Sequence, residues 1–140
     1  MPSNSKRKPK GTNKQKEDWE KTGGGGFSAI PKALQTTEKY KDLSKFARAL
    51  LVDFLHQYNG SNNGCLVMTL NHMKRYGWNS SSTITKYRKE LMAAGYVIRV
   101  QQGSQPSTPS FYAITWKRID DTKKNPAYKT SDPAIGTWRD

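Results

Sequence analysis

The chain has 140 residues, a length that fits one domain, and 24 Lys and Arg against 11 Asp and Glu leave a net charge of +13. Leu, Ile, Val and Phe account for only 22 residues, yet 18 of those fall within 43–119, so a folded centre is expected between polar ends. No apolar run reaches the length of a membrane helix, residues 1–21 lack the apolar core of a secretory signal, and one cysteine, Cys65, cannot close an internal disulfide. A reducing cytoplasm is the expected compartment. With only His56 and His72 beside that cysteine, no usual zinc set can be assembled, so neither a metal nor a cofactor is expected. A charge balance this positive favours polyanionic partners, nucleic acid above all.

Residues 1–26 read as a disordered basic arm: seven basic and three acidic residues give net +4, and Gly23 to Gly26 form a hinge. Pro31 pushes Ile30 towards an extended conformation, so 27–42 are expected to be extended, packing Phe27, Ile30 and Leu34 onto the domain. Over 45–58, Ala47, Leu50, Leu51, Phe54, Leu55 and Tyr58 recur at the spacing of one helical face. Ser44 is a good N-cap for this helix and Gly60 a stop; Lys45, Arg48, Asp53 and Gln57 fall on its opposite face.

After the turn cluster Asn59 to Gly64, the segment Cys65-Leu66-Val67 suggests a very short strand. A second helix is expected over Thr69–Tyr76, with Leu70 and Met73 inward and Gly77 closing it. Asn79 to Ser82 offer N-caps for a third helix over 82–94, with Ile84 and Leu91 inward and Gly95 as its C-cap. Beyond Gly95 the period becomes two. Residues 96–102 and 110–117 read as strands of a hairpin joined by a Gly-, Ser- and Pro-rich loop, with Tyr112, Ile114 and Trp116 towards the core. Residues 122–140 are expected to form an extended tail.

The order of elements, three helices, a short strand and a hairpin, predicts an α+β fold of the winged helix-turn-helix type over 27–121, with flexible basic tails. In such a fold the third helix enters the major groove by its N-terminal half. That half carries Ser80, Ser81, Ser82, Thr83, Thr85, Lys86, Arg88 and Lys89. Hydroxyls and backbone N–H groups at a helix start bind phosphate, and the lysines can reach base edges or phosphates. Lys74, Arg75 and Arg99 extend the basic set, so 70–100 hold six basic residues against one acid, Glu90. In the loop, Gln102 and Gln105 are candidate contacts to the backbone or the minor groove. Asp120-Asp121 is a weak metal candidate, because neighbours on a strand end point apart. No nucleophile, base and orienting group come together in the sequence, so an enzyme is not expected.

The phrases Phe27-Ser-Ala-Ile-Pro31, Leu43-Ser-Lys-Phe-Ala-Arg-Ala-Leu-Leu51, Tyr58 to Gly64, Arg75-Tyr-Gly-Trp78, Thr83-Ile84 with Glu90-Leu91, Gly95-Tyr96-Val97 and Phe111 to Trp116 carry a family likeness. Over about 27–121 the chain resembles the small winged helix-turn-helix proteins of bacterial plasmids, prophages and integrative elements. It departs from that pattern in the wing, where Gly103-Ser104 stands in place of two glycines. The resemblance implies double-stranded DNA as partner, a nucleoid-associated location in a bacterial cytoplasm, and transcription regulation of a mobile element. Rival expectations are a replication or recombination accessory factor, and a protein-interaction winged helix that docks partners through tail aromatics such as Tyr128 and Trp138. A homodimer reading two half-sites also fits the class.

Overall fold

The structure is a computed structural model, and it describes residues 26–103, 108–120 and 138–139. Among the described residues, five α-helices and one two-stranded hairpin give an α+β architecture: α1 Lys32–Gln35, α2 Glu38–Asp42, α3 Lys45–Leu55, α4 Leu70–Met73, α5 Ser81–Ala93, β1 Val97–Gln101 and β2 Phe111–Ile114. A 3-10 turn, Lys74–Tyr76, continues α4. The arms 1–25 and 121–137, and the loop tip 104–107 with Gln105, lie outside the described residues.

Segment 27–42 is not extended as its sequence suggests. Pro31 stands at the N-cap of α1, where its fixed φ and missing N–H cost nothing, and Leu34 is fully buried. Thr37 then caps α2 by accepting from Tyr40 N. Ile30 packs against the core, whereas Phe27 is 78% exposed.

α3 obeys its periodicity. Ala47, Leu50, Leu51, Phe54 and Leu55 are buried, and Ser44 Oγ accepts from Ala47 N at 3.1 Å. The helix stops at Leu55 rather than at 58. Apart from the exposed Lys45, the polar residues of its opposite face are tied to neighbouring segments. Arg48 donates to the carbonyls of Tyr40 (2.8 Å) and Lys41 (3.1 Å) and lies over the Tyr40 ring. Asp53 Oδ2 accepts from Trp78 Nε1 at 2.7 Å. The Gln57 amide pairs with both backbone groups of Val67, each at 2.8 Å. These bonds fasten the segments before and after α3 to it.

Two left-handed glycines set the path into and out of α5. At Gly77 (φ 95°) the N–H groups of Gly77 and Trp78 return to the carbonyls of Lys74 (3.0 Å) and Met73 (3.4 Å). At Gly95 (φ 86°) the N–H groups of Gly95 and Tyr96 return to Met92 and Leu91, both at 3.0 Å. Both are paired closures of the Schellman kind, which need a residue without a Cβ penalty at positive φ.

The hairpin is antiparallel, with Val97 opposite Ile114, Ile98 opposite Ala113, Arg99 opposite Tyr112, and a bulge between Arg99 and Gln101. The expected short strand at 65–67 is a single bridge: Leu66 and Tyr112 exchange backbone bonds of 3.1 and 2.8 Å. Alternation fails along β2, since Tyr112, Ala113, Ile114 and Thr115 are all buried. Thr115 is covered because its Oγ1 donates to the Gly95 carbonyl at 2.7 Å. Trp138, beyond the hairpin, packs partly buried against the core, and Lys39 Nζ donates to the Arg139 carbonyl at 2.7 Å.

A fully buried Asn63 closes the far end of the hairpin. Its Nδ2 donates to the carbonyls of Ile114 (3.0 Å), Lys117 (3.1 Å) and Arg118 (3.0 Å), and its Oδ1 accepts from Ile114 N at 2.8 Å. Its own N–H donates to Asp120 Oδ2, and its carbonyl accepts from Asp120 N, both at 2.8 Å. The Asp120 carboxylate is therefore a structural acceptor. Truncation at Asn63 leaves several buried backbone groups unpaired, and each such group costs about 1–3 kcal/mol. Asn63→Ala is expected to lose about 3 kcal/mol in urea unfolding. A loss under about 0.5 kcal/mol, the range of an ordinary surface change, contradicts this role.

Candidate nucleic-acid interface

α5 spans 13 residues, Ser81–Ala93, one residue earlier than the sequence suggests, with Ser80 as N-cap accepting from Thr83 N at 3.3 Å. Ile84 and Leu91 are buried, and α5 packs on α3. Opposite that stripe, at helical spacing, Ser82, Lys86, Lys89 and Ala93 are exposed. Ser81 is also exposed, Thr83, Thr85 and Arg88 are half-buried, and the first turn carries no acidic residue. The Ser80 hydroxyl is committed to the cap and to Ser82 Oγ, 3.0 Å away.

The one acid of this stretch faces away from that row. Glu90 sits four residues after Lys86, a spacing at which the two would ordinarily pair. Instead Glu90 Oε2 accepts from Ser44 N at 2.7 Å and Oε1 from Ser44 Oγ at 2.8 Å. Among the described residues an ion pair joins Lys41 and Glu38 at 3.1 Å, and no described carboxylate pairs with Lys74, Arg75, Lys86, Arg88, Lys89 or Arg99. The row thus combines uncompensated ammonium groups with the positive end of a helix dipole.

A second basic group gathers at the base of the hairpin loop. The guanidinium of Arg88 lies 5.8 Å, and that of Arg99 5.7 Å, from the centre of the Tyr112 ring. Exposed Arg99 also donates to Gln102 Oε1 at 2.8 Å. Arg88, Gln102 and Tyr112 line a cleft of about 240 Å³ together with Met68, Thr69 and Ser110. The Nε of Arg88 is buried and has no hydrogen-bond partner among the described residues. Arg88 joins this group to α5. Lys74 and Arg75 are exposed on the 3-10 turn, with Arg75 Nε donating to the His72 carbonyl at 3.0 Å. They are not drawn into either group. Gln105 lies outside the described residues.

Thr69 and Tyr112 belong to the cleft, although the sequence marks Thr69 only as a helix start and Tyr112 only as core. The signal for Tyr112 is its pairing opposite Arg99, which becomes visible once the hairpin register is known. Several other described aromatics make contacts within the chain. Tyr96 is fully buried, Trp78 is bonded to Asp53, and Phe46 stacks on Tyr87 with centroids 5.5 Å apart. The described residues hold no cluster of three or more His, Cys, Asp or Glu side chains, and none of their helices is long and apolar enough to cross a membrane. No protein-family model, curated protein or solved structure matches this chain.

The two histidines meet across the Tyr76 ring. Tyr76 Oη shares a 2.8 Å hydrogen bond with His56 Nδ1, and the His72 ring lies 5.9 Å from that of Tyr76. Burial first, then the positive charge of Arg75 and the neighbouring His56, holds the His72 pKa below the usual histidine value. An unfolded histidine titrates near about 6.5, so below that pH the unfolded chain binds the proton that folded His72 resists. Stability is therefore expected to fall as pH drops from 7 to 5, and His72→Gln is expected to flatten the fall. Urea midpoints across that range check this; an equally steep loss in the variant contradicts it.

Proposed function

We propose that the chain is a winged-helix protein that binds double-stranded DNA and regulates transcription on a bacterial mobile element. α5 is the major-groove helix in this reading, and the hairpin is the wing. The observation that carries it is the exposed, carboxylate-free row Ser82, Lys86 and Lys89 on a helix whose opposite stripe is locked in the core. A helix is about 10–12 Å across with its side chains, and the major groove is about 12 Å wide, so α5 fits with its long axis in the furrow. The α4–Gly77–α5 connection supplies the short, glycine-containing turn between two helices that such a docking needs.

The cleft by Tyr112 adds a backbone contact. Arg88 and Gln102 line this cleft, and in this reading they contact a phosphate beside the groove that α5 occupies. The role in a mobile element rests on the family resemblance described above. Trp138 packs partly buried against its own core, which speaks against its use as a docking anchor.

The test is fluorescence anisotropy with a labelled mixed-sequence duplex at several salt concentrations. Each phosphate contact contributes about 0.9 to the slope of log affinity against log salt. Lys86→Ala with Lys89→Ala is expected to weaken binding at least about tenfold and to lower the slope by about two. Lys117→Ala, an exposed lysine outside both groups, is expected to leave binding unchanged. Absence of duplex binding at low salt, or full affinity in the double variant, contradicts the proposal.

A further inference from the structure

The outward face of α3 carries Lys45, Phe46, Ala49, Val52 and Asp53 at helical spacing. Phe46 is 61% and Val52 44% exposed, two of the three large exposed hydrophobics among the described residues. Ala49 and Lys45 are exposed as well, and Asp53 is half-buried. A helix in a small domain ordinarily turns charged residues to water, so an apolar strip here is a departure that calls for a reason. The Phe46 ring is held in place by its stack on Tyr87 of α5, and Asp53 by the indole N–H of Trp78.

The strip is self-complementary, and we propose that it pairs with the same strip of a second copy of this chain. The two α3 helices run antiparallel across a two-fold axis at Ala49. In that arrangement residues equally far before and after position 49 face each other. Phe46 then meets the partner's Val52, and Lys45 meets the partner's Asp53. The smallest side chain lies on the axis, where two helices packed about 8–10 Å apart have least room. Cation meets anion at both ends, and apolar meets apolar between them, as an isologous interface requires. Asp53 uses Oδ2 for Trp78, which leaves Oδ1 for a partner's ammonium group. Lys45 is paired with no described carboxylate. Tyr87 turns towards α3 and carries Lys86 Nζ 5.3 Å from its ring centre, so the strip borders the basic row of α5 at Lys86.

An 11-residue helix is about 16 Å long, so the strip buries less than the roughly 1,200 Å² of a standard interface and the dimer belongs to the weak, transient class. The pairing does not depend on DNA binding, and it is tested without DNA. Sedimentation equilibrium of the full chain from micromolar to millimolar concentration is expected to show a monomer–dimer equilibrium. Ala49→Glu, a change at an exposed helical position, is expected to leave the circular dichroism spectrum intact and give monomer throughout. Lys45→Glu sets like charges face to face and is expected to weaken association at least about tenfold, with partial recovery in high salt. Should Ala49→Glu unfold, Lys45→Glu decides alone. A wild-type chain that stays monomeric over the whole range, or variants that dimerise as it does, overturns the proposal.

Discussion

The Glu90 carboxylate, bound to the backbone and hydroxyl of Ser44, is the contact on which the charge pattern of this molecule depends. It does two things at once. It completes the cap of α3, because Ser44 Oγ donates to Glu90 while accepting from Ala47 N. It also removes the single acid of 70–100 from the outer row of α5. A carboxylate free to swing would neutralise Lys86 four residues away. Tied to Ser44, it lets the same helix be anchored on one side and purely cationic on the other.

The hairpin is joined to this scaffold by polar contacts at both ends. Asn63 ties the exit of β2 to the turn after α3, and Thr115 ties it to the C-cap of α5. At the loop end, Tyr112 bridges to Leu66 and carries two guanidiniums against its ring. Arg88 reaches this ring from α5, so the helix row and the loop base are not separate patches but neighbours across one side chain. The charge of both depends on sparse acids. Three of the five described acids are spent on caps and hubs: Glu90 on Ser44, Asp53 on Trp78 and Asp120 on Asn63.

What was legible in the sequence is what local rules govern. α3 and α5 follow from helical spacing with a serine cap in front, and the closures at Gly77 and Gly95 follow from glycine after a periodic run. The basic row of α5 was legible for the same reason: Lys86 and Lys89 fall opposite Ile84 and Leu91. What was hidden depends on partners distant in sequence. Ser44 and Glu90 lie 46 residues apart, and nothing in either neighbourhood announces the other. Alternation misread β2 because both of its faces are covered, so Ala113 and Thr115 are as buried as Tyr112 and Ile114. Pro31 misled in a different way. It stands at the N-cap of a helix, and the next turn of chain is helical.

The most direct test of the account is an amide NMR titration of the full chain with a mixed-sequence DNA duplex at low salt. The perturbed amides are expected at 80–89, with a second group at 99–103 and 108–112 around Tyr112, while the outer face of α3 stays unshifted. Shifts confined to α3 or to the arms, with 80–89 unmoved at saturation, contradict a groove-binding α5.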